Sequence, residues 1–123
     1  MEIKTILFAE DSPTMRRIIA NSLKKLGFQD VIEAEHGVEA LEKMEGHKID
    51  LLVTDWNMPE MNGAELVRAV RAMPEYAELP IVMITTRGMK DDILTAMKLG
   101  VNGYVIKPFT PDVLRTKLDA ILK

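Results

Sequence analysis

Five short apolar runs recur along the chain, and between them the spacing of apolar residues changes from that of a strand to that of a helix. The runs are Ile6-Leu7-Phe8-Ala9, Val31-Ile32, Leu51-Leu52-Val53, Ile81-Val82-Met83-Ile84 and Tyr104-Val105-Ile106. Most are continuous rather than alternating, the pattern of strands covered on both faces. The stretches between them carry apolar residues at helical spacing. These are Met15, Ile18, Ile19, Leu23 and Leu26, then Val38, Leu41 and Met44, then Leu66, Val67 and Val70. Ile93, Leu94 and Met97 follow, and Val113, Leu114, Leu118, Ile121 and Leu122 close the chain. Gly27 and Gly100 end the first and fourth stretches, while Ser12-Pro13 and Thr110-Pro111 open the first and last with a capping hydroxyl before a proline. A βα unit repeated five times predicts an α/β fold: a parallel sheet, right-handed crossovers and helices on both faces.

With 123 residues the chain is expected to form one domain over 1–123, burying roughly two thirds of its unfolded surface. It has no cysteine, which removes disulfides and thiolate metal sites. Sixteen basic against nineteen acidic residues give a net charge of −3, so nothing advertises nucleic acid or an anionic membrane as a partner. No run approaches the roughly 18 apolar residues of a membrane span, and Met1-Glu2 opens no signal peptide. The expectation is a soluble, cytoplasmic, monomeric protein.

In doubly wound sheets, ligands collect beyond the carboxyl ends of the strands. Glu10-Asp11 follow the first run, Asp55 the third, Thr85-Thr86 the fourth and Lys107-Pro108 the fifth. Each has an ordinary role when taken alone: Asp11 or Ser12 can cap a helix, and Lys107 can be a solvated loop charge. Three carboxylates on one edge are different, because they repel one another and cost stability. Lys107 offsets one charge and a divalent cation would bring the sum to zero. Oxygen ligands suit Mg²⁺, whereas His36 and His47 fall in the second helical region, away from this edge. Asp55 can then act as a nucleophile toward phosphorus, with Glu10 and Asp11 holding the metal and Lys107 and Thr85 on the phosphoryl oxygens.

These residues carry a resemblance. From Phe8-Ala9-Glu10-Asp11 through Asp55-Trp56-Asn57-Met58-Pro59 and Thr85 to Gly103-Tyr104-Val105-Ile106-Lys107-Pro108-Phe109, the chain resembles a two-component response-regulator receiver domain. Ser12-Pro13-Thr14-Met15-Arg16-Arg17 and Trp56-Asn57-Met58-Pro59 direct the resemblance to the chemotaxis branch. It implies a flavodoxin-like (βα)5 sheet in strand order 2-1-3-4-5. It also implies roles: Asp55 as phosphoacceptor fed by a histidine kinase, Asp11 as direct metal ligand, Glu10 as a ligand through water, and the Asn57 main-chain carbonyl completing the Mg²⁺ set. Thr85 would be the switch hydroxyl, Tyr104 an aromatic rotor, and Lys107 the partner of the phosphoryl group, in this family commonly before a cis proline bond. Gly88, Met89, Lys90, Ile93, Tyr104, Ile106 and Lys117 would form a target face, with the flagellar motor switch protein as target and a phosphatase as a further partner. The protein would be a signalling switch, catalysing only its own phosphotransfer and autodephosphorylation.

Two positions depart from the chemotaxis pattern. Glu10 stands where an aspartate is usual, and Arg87 where a glutamate is more familiar. Because phosphorylation brings about −2 of charge, Arg87 with Asn57 is expected to set the lifetime of the phosphorylated state. A flavin-binding role is disfavoured, since Glu10-Asp11 would repel a phosphate. A haloacid-dehalogenase-type phosphatase would want a second acid where Asn57 stands. A phosphorelay intermediate, a phosphate sink or a receiver cut from a longer regulator are the alternatives within the family. Met15, Met44, Met83 and Met97 read as core, and Phe109 as structural.

Overall fold

The computed structural model describes residues 3–122; Met1, Glu2, Lys123 and the Leu122 side chain, expected on the closing stripe, lie outside the described residues. Five strands alternate with five helices. They are β1 (Thr5–Ala9), α1 (Pro13–Lys25), β2 (Asp30–Ala34), α2 (Gly37–Gly46), β3 (Leu51–Thr54), α3 (Gly63–Arg71), β4 (Ile81–Thr85), α4 (Lys90–Leu99), β5 (Gly103–Ile106) and α5 (Pro111–Leu122). A 3-10 turn at Pro74–Tyr76 was not expected from the periodicity. The sheet is parallel throughout and ordered β2-β1-β3-β4-β5, the flavodoxin-like arrangement.

Successive strand residues point to opposite faces, and the core divides accordingly. Leu7, Ala9, Leu52, Ile81, Met83 and Tyr104 face α2, α3 and α4. Ile6, Phe8, Leu51, Val53, Val82, Ile84 and Val105 face α1 and α5. The switch between the two helical layers falls at β1 and β3, whose ends carry Glu10-Asp11 and Asp55. β2 extends beyond the expected Val31-Ile32 because it is an edge strand, with Asp30 and Glu33 exposed.

The helices are capped as their sequences suggest. Ser12 Oγ accepts from the Met15 N–H and Thr110 Oγ1 from the Val113 N–H, each just before a proline. Gly100 takes the left-handed conformation, φ 102°, that ends α4. The apolar stripes needed correction. Ile18, Val38, Leu94, Met97 and Val113 are exposed, while Ile19, Ala40, Ala96 and Leu114 are buried. Met97 is therefore not core. Met44 and Met83 are buried, and Met15, half-buried, packs against the core on the α1 and α5 side.

Candidate functional site

The parallel register aligns the strand tips. Ala9 lies beside Thr54, Thr54 beside Met83, and Thr85 beside Ile106. The residues that follow therefore meet at one edge. Glu10, Asp11 and Asp55 each offer a carboxylate oxygen within 4.8 Å of the others. Glu10 is 1 % exposed and Asp55 8 %, whereas Asp11 is exposed. Lys107 reaches in from the end of β5, with Nζ 2.5 Å from Glu10 Oε1 and 3.0 Å from Asp55 Oδ2. The Lys107-Pro108 peptide is cis.

Each group is held by local backbone. Asp55 Oδ1 accepts from the Trp56 N–H at 2.6 Å, and Glu10 Oε2 from the Ser12 N–H at 3.0 Å. Arg16, from the first turns of α1, donates to the Glu10 and Asp11 carbonyls and pairs with Glu33 and Glu35. Beyond Asp55 the chain doubles back so tightly that a Cβ on Gly63 would collide with the Asp55 carbonyl oxygen. Gly63 also donates its N–H to the Trp56 carbonyl at 2.7 Å. The turn after the strand-tip acid therefore requires glycine, and Asn62 with Glu65 closes it in a reciprocal capping box.

Burial pushes the Glu10 carboxyl up from its ordinary range, against the opposing pull of Lys107 and the Ser12 N–H, and the Asp55 charge adds to the rise. Burial alone would lower Lys107, but its bonds to Glu10 and Asp55 outweigh that and hold the ammonium above the ordinary lysine range. The cluster is thus rich in negative charge with one cation to balance it. Its donors are all carboxylate oxygens, no histidine joins them, and one is nearly inaccessible to water. That set fits a hard divalent ion such as Mg²⁺.

The remaining expected residues fall into two groups. Thr85 is fully buried, and its Oγ1 accepts the Arg87 N–H at 3.3 Å. The Tyr104 hydroxyl donates to the Arg87 carbonyl at 2.7 Å, and its ring is buried in the core. The Arg87 side chain is not turned to Asp55. It stacks 4.5 Å from the Trp56 ring centroid, donates to Asn57 Oδ1 at 3.3 Å and pairs with Asp92 at 3.4 Å. On the neighbouring face, Ile93, Tyr104, Ile106 and Lys117 line one hollow of about 350 Å³, joined by Met97 and Ile121. Lys90, exposed at the start of α4, does not line it. His36 caps α2 through Nδ1 and His47 ends it, so neither reaches the carboxylates. Sequence reasoning gave no role to the Trp56 side chain or to Arg16. Arg16 stood within a quoted motif, but only the folded chain brings it to the Glu10 and Asp11 carbonyls.

Comparison with known proteins agrees with this geometry. The response regulator receiver domain family matches residues 6–119. Chemotaxis protein CheY1 of Helicobacter pylori strain J99 is 57 % identical over 118 residues, covering 95 % of both chains. A chemotaxis protein CheY homolog of Campylobacter jejuni is 55 % identical over 95 % of this chain and 91 % of its own. Among solved structures, the chemotaxis response regulator CheY4 of Vibrio cholerae superposes with a TM-score of 0.90 at 32 % identity, covering 98 % of this chain and 99 % of its own. The receiver domain of a Pseudomonas aeruginosa sensor histidine kinase, with a magnesium ion coordinated in its active site cleft, superposes at 0.87 and 26 % identity over 98 % of both chains.

Proposed function

The chain belongs to the response regulator receiver domain family, and from that premise we propose that it is a phosphorylation-driven switch of chemotaxis signalling with Asp55 as the phosphoacceptor. The observation that carries this reading is the buried Asp55 carboxylate, set between the Lys107 ammonium and the Trp56 N–H with Glu10 and Asp11 beside it. A histidine kinase is the donor. An Asp55 oxygen forms the new bond to phosphorus as the phosphorus–nitrogen bond to the donor histidine breaks, and the departing imidazole takes up a proton. Glu10, Asp11 and Asp55, with the Asn57 main-chain carbonyl, would hold Mg²⁺, which supplies positive charge to offset the phosphoryl oxygens. Lys107 takes one phosphoryl oxygen, its ammonium kept charged by the carboxylates around it. Thr85 turns its hydroxyl from the Arg87 N–H to another.

Movement of Thr85 draws its loop towards the phosphoryl group and favours the inward position of Tyr104, so the face lined by Ile93, Tyr104, Ile106 and Lys117 changes its affinity for the target. The flagellar motor switch protein is the target proposed, by analogy with the chemotaxis relatives. Lys90 contributes charge at the border of that face. Arg87 and Asn57 tune the lifetime of the phosphorylated state; equal dephosphorylation rates in wild type, Arg87→Ala and Arg87→Glu would remove them from that role.

Trp56 is the only tryptophan and adjoins Asp55, so its emission provides the test. Titration with Mg²⁺ and then beryllofluoride should change the emission in two steps, and Asp55→Asn should abolish the second. Mass spectrometry after a small-molecule phosphodonor should show one added phosphoryl group in wild type and none in the variant. A wild-type mass that never changes would overturn the phosphoacceptor reading.

A further inference from the structure

Arg16 touches the Glu10-Asp11 pair through its main chain and not through its carboxylates. One terminal nitrogen, Nη1, donates to the Glu10 carbonyl at 2.9 Å and to the Asp11 carbonyl at 3.1 Å. The rest of the guanidinium meets the end of β2, with Nη2 3.5 Å from Glu35 Oε1 and Nε 3.8 Å from Glu33 Oε1. The Arg16 side chain is only 16 % exposed, whereas both glutamates lie at the surface. The loop is tied at further points: Glu10 donates its N–H to the Ala34 carbonyl, Arg16 its own to the Ser12 carbonyl, and Glu10 Oε2 accepts the Ser12 N–H. Two carboxylates (−2) against one guanidinium (+1) leave the Arg16 group at −1. A cation beside the carboxylate cluster is therefore already offset.

We propose that Arg16, braced by Glu33 and Glu35, is a positioning residue that fixes the main chain of Glu10 and Asp11 and so keeps their carboxylates converged for a divalent ion. Its purpose rests on the Mg²⁺ reading of the site, whereas the fixing of the loop stands without it. An ion is held more tightly where its ligands need little reordering on binding, and groups that orient metal ligands are worth about 10–100-fold in affinity. The planar fork matters here. One nitrogen spans two carbonyls while the others reach two acids, which a single ammonium cannot do at once. The direction of the effect separates this role from plain electrostatics. By charge alone, removing a cation near the carboxylates would tighten Mg²⁺ binding; removing a positioning group loosens it.

The first arm of the test reads Mg²⁺ affinity by calorimetry and by Trp56 emission. Arg16→Gln should weaken it by about tenfold, and Arg16→Lys, which keeps the charge and loses the fork, should weaken it too. The double variant Glu33→Gln, Glu35→Gln changes only exposed acids. It should shift the affinity in the same direction, and it serves if Arg16→Gln does not fold. Arg71→Gln, which unties loops at the opposite edge of the sheet, should lower the urea midpoint and leave the affinity alone. The second arm omits the metal and follows amide exchange by NMR. The Ser12 N–H should exchange about tenfold faster in Arg16→Gln relative to Leu7 in β1, the scale of a charge-assisted hydrogen bond. Wild-type or tighter Mg²⁺ binding in the Arg16 variants or the double variant would overturn the proposal, as would an equal loss in Arg71→Gln. A wild type with no Mg²⁺ response defeats the metal reading instead, and exchange at Ser12 then decides whether Arg16 fixes the loop. Unchanged exchange there overturns it.

Discussion

The two edges of the sheet handle buried polar groups in opposite ways. At the amino ends of the strands, the Tyr76 hydroxyl donates toward the Met44 and His47 carbonyls and accepts the Ile49 N–H. Nearby, Arg71 spreads its donors over the Tyr76, Ala77 and Gly100 carbonyls and Asn102 Oδ1, which also takes the Ile81 N–H. Donors match acceptors, and each bond ties a loop to its neighbour. At the carboxyl ends, three carboxylates meet a single ammonium, and burial raises Glu10. The same fold thus devotes polar chemistry at one edge to stability and leaves it unbalanced at the other. An edge with excess negative charge favours a cation, which the proposed phosphoryl transfer would need; the other edge has its charges and hydrogen bonds already matched.

Substitutions at the amino edge should therefore only destabilise, whereas those at the carboxyl edge should go either way. The largest effect is expected from Lys107→Ala, which leaves buried Glu10 and Asp55 without their ammonium. A loss of about 3–5 kcal/mol is anticipated at pH 7 without Mg²⁺, read as a lowered urea midpoint. Because Lys107 is held above the ordinary lysine range, its stabilisation should be complete below that range and disappear only as alkaline pH passes its raised value. If Lys107→Ala unfolded at the wild-type midpoint, the carboxyl edge would not be strained by its charges.

At the other edge, Tyr76→Phe removes a hydroxyl with three partners and leaves buried backbone groups unpaired, a loss of about 2 kcal/mol. Mg²⁺ should neither rescue nor deepen it, since the residue is remote from the carboxylates. Mg²⁺ at ten times its Kd should stabilise wild type by roughly 1.4 kcal/mol, and Asp11→Asn should largely lose that gain in a thermal melt. Equal gains in the two proteins would place the ion elsewhere.

The smallest effect has the opposite sign. Without Mg²⁺, Glu10→Gln should stabilise the protein at pH 7 by about 1 kcal/mol, because a buried charge is removed from a crowded site. Glu10 is raised in the fold, so its neutral form is the one the fold favours. Its favourable contribution is complete below the ordinary glutamate range and disappears as pH rises through the raised value. The advantage of Glu10→Gln should accordingly shrink as the pH falls toward that range. Denaturant midpoints of both proteins between neutral and acid pH provide the check, and an advantage that grew on acidification would reverse the assignment.

Much of the carboxyl edge was legible before folding was considered. Asp55, Glu10, Asp11, Thr85 and Lys107 each follow an apolar run, and a parallel sheet must bring strand ends together. The Lys107–Asp55 contact spans 52 residues, yet strand alternation alone predicts that they share an edge. The apolar stripes were less informative. Ile18 and Ile19 are adjacent and equally apolar, but only Ile19 is buried, because helix rotation is decided by packing against the sheet. Met97 failed as core for the same reason, with the small Ala96 taking the inward position against the sheet.

What the sequence by itself determined is what local periodicity can encode: five βα units, their caps, and the class of residue at each strand tip. The strand order was implied by resemblance and is decided by non-local pairing. The Trp56–Arg87 stack, the Tyr104–Arg87 bond and the balanced edge around Tyr76 belong to tertiary structure alone. Each depends on side-chain direction and distance across 17 to 32 residues of chain, which no repeat of 2 or 3.6 residues can specify.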